Sequence, residues 1–164
     1  NSNGVPGFSD HFPVYVYLIR EQGAFKKVVT NVVSNKKSIS FIKNKEGQIE
    51  VPCTVNKNNS SFVYDAEVED ILISGKEALF LLKTGKVKPE SYSGEQAYSL
   101  ADGRIPEGAT LLIDTIEFNG FTLSNVTAVI TNSISSDLVI GENTLKTLGR
   151  VEVNYKESTL SITK

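Results

Sequence analysis

Carboxylates dominate the residues of this 164-residue chain that could do chemistry. The stretch Asp65-Ala66-Glu67-Val68-Glu69-Asp70 follows the apolar run Phe62-Val63-Tyr64 and carries four acids. A carboxylate in such a place can act as a general acid or base, or it can serve as a turn residue that accepts loop N–H groups. The residues alone leave both readings open. The same run offers oxygen ligands for Ca²⁺ or Mg²⁺, but it lacks the regular spacing and mid-loop glycine of an EF-hand loop. We therefore assign no metal site and no cofactor. The single His, His11, sits in a Gly/Ser/Pro-rich head and gives no basis for a His-based triad. The single Cys, Cys53, precludes an intrachain disulfide and a cysteine-rich zinc site. With no base or second thiol near it in sequence, it reads as a small apolar strand residue.

The elements that would position these groups are mostly strands. Val, Ile and Thr are frequent, and apolar–polar alternation recurs in short pieces: 14–18, 38–42, 48–55, 62–64, 110–113, 125–130 and 151–153. Lys45-Glu46-Gly47, Asn56 to Ser60, Asp102-Gly103 and Asn119-Gly120 separate them as turn signals. Two segments read as helices. Ser74-Gly75-Lys76-Glu77 is a capping box before Ala78-Leu79-Phe80-Leu81-Leu82, with Gly85 as the stop. Glu142 to Leu148 is the second, closed by Gly149. Each is about two turns long and must pack on a sheet to persist.

These pieces repeat. Ile49-Glu50-Val51 matches Ile116-Glu117-Phe118, Val63-Tyr64-Asp65 matches Ile130-Thr131-Asn132, and Asp70-Ile71-Leu72-Ile73-Ser74 matches Asp137-Leu138-Val139-Ile140-Gly141, all at an offset of 67 positions. The last block opens a helix in both copies. We read this as an internal duplication of hairpin, strand, loop, apolar strand and helix. The first copy carries Asp65 where the second carries Asn132.

In order and spacing, residues 48–163 resemble the retropepsin-like aspartic proteases, in particular the single-domain bacterial members. The strand that runs into Asp65, the apolar strand and helix after it, the turn at Tyr98 to Ile105, and Leu138-Val139-Ile140-Gly141 opening the last helix carry the likeness. The resemblance implies an all-β fold: a small closed acid-protease barrel with two short helices and a flap hairpin. It also implies a homodimer, in which Asp65 of each chain contributes to a pair of carboxylates that share one proton and activate a water. Ala66, Glu67 and Val68 would form the active-site loop. Ala101, Asp102, Gly103 and Arg104 would form the flap that closes over an extended peptide. Ile140 and Gly141 would be structural residues beneath the site. The chain departs from the family's Asp-Thr-Gly at Asp65-Ala66-Glu67. Ala66 has no hydroxyl to tie the two loops across the dimer, and Glu67 replaces a glycine with bulk and charge. The resemblance thus implies an aspartic endopeptidase whose degenerate motif reduces or abolishes activity. A non-catalytic module that binds peptide or directs assembly is the alternative.

Residues 1–45 precede the match, and we expect an extension whose strands pack on the barrel, with 46–164 as the protease-like domain. A net charge of −2 gives no footprint for nucleic acid, and no apolar run is long enough to span a membrane. The chain begins with Asn and contains no Met, so we expect a processed or trimmed chain. A periplasmic or secreted location stays open on that reading.

Overall fold

The computed structural model describes residues 35–164; His11 and the strand expected at 14–18 lie outside the described residues. Eleven strands and two helices follow in order: β1 (Lys36–Ser40), β2 (Ile42–Lys43), β3 (Ile49–Val55), β4 (Asn58–Asp65), β5 (Ile71–Ser74), α1 (Gly75–Lys83), β6 (Tyr92–Ser93), β7 (Thr110–Phe118), β8 (Phe121–Thr131), β9 (Leu138–Gly141), α2 (Glu142–Lys146), β10 (Arg150–Asn154) and β11 (Thr159–Thr163). The larger sheet runs β2-β3-β4-β9-β5-β8-β7-β6, and a further pairing of β3 with β7 closes its six central strands into a barrel. The closing contact is short, with Thr54 opposite Glu117 and Val55 opposite Ile116. A second sheet, β1-β11-β10, lies beside it in the topology. Lys36–Ser40 and Ile42–Lys43 fall before position 46, yet they pair with β11 and β3.

Inward residues alternate along β3 and along each half of the β7–β8 hairpin, whereas β9 is buried at all four positions. Ile49, Val51, Cys53 and Val55 of β3 are buried, as are Leu111 and Ile113 at the start of β7. On β7 the buried set then shifts phase to Ile116 and Phe118, and on β8 from Phe121 and Leu123 to Ala128 and Ile130. The shift falls at Asp114 and Asn125, where Asn125 has φ 53°. A strand shows opposite faces at successive residues, so one irregular position lets the long β7–β8 hairpin turn a different face inward at its tip. That tip meets β3, and Asn56 completes the join: its amide donates to the Thr115 carbonyl and its side-chain oxygen accepts the Thr115 amide, both at 2.9 Å. Phe62, Phe118 and Phe121 fill the space beneath, with ring centroids 5.1 Å apart for Phe62–Phe118 and 5.7 Å for Phe118–Phe121.

The duplication is visible in the pairing. β5 and β9 run antiparallel with Ile71 opposite Ile140 and Ile73 opposite Leu138. Moving each residue by 67 positions exchanges these two pairs, which is what a two-fold relation between the copies requires. β4 pairs in parallel with β9, and β5 in parallel with β8. The match of Ile49-Glu50-Val51 with Ile116-Glu117-Phe118 does not survive. The first block begins β3, whereas the second ends β7 at its turn. The second hairpin is simply longer, β8 having 11 residues against 8 in β4.

Both helices form where the sequence signals put them. Ser74 caps α1 by accepting the Glu77 amide at 3.1 Å. α2 is shorter than expected, ending at Lys146, which pairs with Glu142 at 3.1 Å one turn earlier. The turn expected from Asn56 to Ser60 is only Asn56-Lys57, both at positive φ, and the polar run after it is already β4.

Candidate functional site

Asp65 ends β4, opposite Gly141 in the parallel β4–β9 ladder. Its chain neighbours turn away at once, because Ala66 and Glu67 form a turn and both are exposed. The Glu67 amide donates to Asp65 Oδ1 at 2.9 Å, an Asx turn that fixes how the half-buried carboxylate faces. Beyond it, the Val68 carbonyl lies over Gly141 so closely that a Cβ on Gly141 would stand 1.9 Å from the carbonyl oxygen. Gly141 has φ −76°, so the need for glycine is closeness of approach and not backbone freedom. Ile140 is fully buried beneath. Asp65, Glu67, Val68, Ile140 and Gly141 are thus brought together by one ladder and one turn.

The environment on this side is partly apolar. Burial raises the Tyr64 phenol above its ordinary pKa, and the carboxylate of Glu142, Tyr155 and Asp65 add to the effect. The phenol is therefore a neutral hydrogen-bonding group at physiological pH. Among the described residues, no group of three or more His, Cys, Asp or Glu side chains could hold a metal ion.

The segment expected to form the flap is a short hairpin. Ser99 and Arg104 exchange two backbone hydrogen bonds, at 2.8 and 3.0 Å, around Leu100, Ala101, Asp102 and Gly103. Gly103 takes φ 64°, as the turn demands. The Ser99 hydroxyl donates to Asp102 Oδ2 at 3.0 Å and accepts the Asp102 amide at 3.2 Å, which stiffens the tip. At its base, Tyr92 and Tyr98 meet edge to face with centroids 4.9 Å apart. Ala101, Asp102, Gly103 and Arg104 are all exposed.

A cavity of about 730 Å³ opens beneath this hairpin, and Asn132, the counterpart of Asp65, lines it together with Gly103 and Arg104. Asp65 does not. The remaining walls come from α1, chiefly Lys76, Leu79, Phe80 and Lys83. These helix residues were not singled out from the sequence. Their spacing was the available signal, since positions 76, 79, 80 and 83 share one face of a helix.

A lone carboxylate cannot both take a proton from water and give one to a carbonyl oxygen in a single step. Proton-sharing chemistry at Asp65 therefore needs a second acid, and the second copy of the repeat offers the amide of Asn132 in its place.

No family model matches the sequence, and no curated protein matches it. Solved structures do resemble the fold. The chain is similar to a retropepsin-like aspartic protease from Rickettsia conorii, with a TM-score of 0.54 and 14% identity over 79% of this chain and 92% of that one. It also resembles the retroviral protease-like domain of Ddi1 from Leishmania major, with a TM-score of 0.47 and 16% identity over 70% of this chain and 84% of that one. The fold, a closed six-stranded barrel with two helices, is retropepsin-like.

Proposed function

We propose that this chain is the subunit of a homodimeric aspartic endopeptidase, each copy supplying one Asp65. The observation that carries the reading is the placement of Asp65. It ends an inner strand on a retropepsin-like fold, and its carboxylate is oriented by the Glu67 amide and its loop pinned on Gly141. In the dimer the two Asp65 carboxylates share one proton. The ionised one takes a proton from water as that water attacks the peptide carbonyl, and the protonated one gives its proton to the carbonyl oxygen. Collapse of the tetrahedral intermediate then returns a proton to the leaving amine. The substrate lies extended beneath the flap, with the hairpin at Ala101 to Arg104 contributing backbone hydrogen bonds.

Ala66 favours a second reading. Exposed and without a hydroxyl, it cannot donate across the dimer to hold the two loops in register, and catalysis depends on placement to a fraction of an ångström. On that reading the chain binds peptide without cutting it. β11 bears on how two copies meet, since β1 and β10 already occupy both of its edges. A partner strand would have to add to β1 or β10, where Lys36, Lys37, Arg150 and Glu152 make pairing unfavourable. On the peptidase reading the copies meet through the face that carries the Asp65 loop, because the two carboxylates must share one site.

The test is digestion of an unfolded protein mixture between about pH 3 and 7, the range of interacting carboxylates. Asp65→Asn serves as control, mass spectrometry reads the products, and sedimentation reads the oligomeric state. Cleavage that vanishes in the control, by a dimer, is the expected result. A folded dimer without cleavage leaves the peptide-binding reading, and a monomer with an open Asp65 loop ends the peptidase one.

A further inference from the structure

The cavity beneath the flap, under which the proposed function lays the substrate, draws its chemistry from groups other than Asp65, and its assignment rests on that reading. Its floor is apolar: Leu79 and Phe80 from α1, Leu100 and Ile105 from the flap. Phe80 and Leu100 are each 43% exposed, two of the few large apolar side chains that the described residues leave open to solvent. Its rim is cationic. Lys76 and Lys83 lie seven positions apart on one face of α1, about 10 Å along the axis, and Arg104 faces them from the flap. Among the described residues, no carboxylate lines the cavity. Neither lysine takes part in an ion pair among the described residues. Arg104 touches Asp102 only at 3.8 Å, with its side chain 74% exposed, so its guanidinium remains available. Three cations around an apolar floor stand out on a chain whose net charge is −2.

We propose that this cavity anchors an acidic, apolar peptide segment, in which large apolar side chains enter between α1 and the flap and flanking carboxylates meet Lys76, Lys83 and Arg104. The volume suits this occupant, because pockets of about 300–1,000 Å³ take ligands of a few side chains. Charge selects the class: a basic segment would bring like charges to the rim, and a neutral one would leave the cations without partners. The site stands apart from the Asp65 carboxylate, so anchoring does not require turnover.

Fluorescence polarisation on the full chain carrying Asp65→Asn tests this, since the substitution separates binding from cleavage. The probes are three labelled nonapeptides in which Phe and Leu alternate with Glu, with Gln or with Lys. The Glu peptide is expected to bind about five- to tenfold more tightly than the Gln peptide, the gain of two exposed ion pairs. The Lys peptide should bind least. Added salt should shrink the preference, and the triple variant Lys76→Gln/Lys83→Gln/Arg104→Gln, changed only at exposed positions, should remove it, with circular dichroism confirming that the variant is folded. Leu100→Ser should weaken the Glu and Gln peptides alike. Equal affinity for the Glu and Gln peptides overturns the proposal, and so does a Glu preference that survives the triple variant. Sedimentation in which Leu100→Ser turns a dimer into a monomer, without any peptide preference, would assign the cavity to a second copy and overturn it too.

Discussion

Gly141→Ala tests the architecture that holds Asp65. The new Cβ would stand 1.9 Å from the Val68 carbonyl oxygen and 2.8 Å from its carbon, where real Cβ contacts essentially never fall below 3.0 Å. Either the loop after Asp65 or the start of α2 must therefore withdraw by about 1 Å. The neighbour is backbone, so no rotamer change relieves the clash. Overpacking of this kind costs about 1–3 kcal/mol, and disturbing the ladder where Asp65 pairs with Gly141 adds about 1 kcal/mol. The sum of about 2–4 kcal/mol lowers the melting temperature by roughly 5–15 °C in a chain of this size. Gly85→Ala is the matched control. Gly85 has φ +69° and nothing within 4 Å of an added Cβ, so only backbone strain of about 1–2 kcal/mol applies. Melting followed by circular dichroism, with urea unfolding for the free energies, reads both. If Gly141→Ala melts within a degree of the parent, or no lower than Gly85→Ala, the Val68 carbonyl does not rest on Gly141 and the account of the Asp65 loop fails.

Phe62→Ala removes a fully buried ring that packs edge-on against Phe118; a loss of about 3–5 kcal/mol in urea unfolding is expected. Burial, with the charge of Glu77 adding to it, pushes the Cys53 thiol up to about 12. A chromogenic disulfide reagent at pH 8 should therefore leave the folded chain unmodified and label it at once in denaturant. Burial raises the Glu77 pKa, Asp137 adds to it, and Lys76 opposes it. The folded state thus holds that proton more tightly than the unfolded chain, so the associated stability is present below the unfolded carboxylate pKa of about 4.5 and is lost as pH rises through the folded value. Glu77→Gln should accordingly gain stability relative to the parent between pH 4 and 7 in urea titrations, and a constant difference across that range would contradict it.

The elements of the candidate site differ in why they stood out in the sequence. Asp65 was legible because a carboxylate closing an apolar strand, set against Asn132 in an otherwise repeated block, is a local and a comparative signal together. Gly141 was legible as a close-approach glycine, although its contact with Val68 spans more than 70 positions and could not be named from the chain. The cavity rim was missed. Lys76 and Lys83 look like ordinary solvated charges on a short helix, and only the fold of the flap onto α1 turns them into one side of a binding pocket. β11 was missed for another reason. Thr159-Leu160-Ser161-Ile162-Thr163 is short, and although it alternates and pairs locally with β10 as a hairpin, its second edge is set by β1, more than 100 positions away.

What the sequence by itself determined was local: alternation at period two made the strands, Ser74 and Gly85 bounded α1, paired turn residues made the hairpins, and a constant offset disclosed the duplication. These depend on interactions between residues a few positions apart, and each segment carries them wherever it lies. Tertiary structure alone decided which strands became neighbours, which face of the β7–β8 hairpin turned inward at Asp114 and Asn125, and that the flap covers Asn132 while Asp65 sits under the Val68–Gly141 contact. Those outcomes depend on closing the barrel. Closure brings together strands far apart in the chain, β3 with β7 and β4 with β9, and no single segment records that condition.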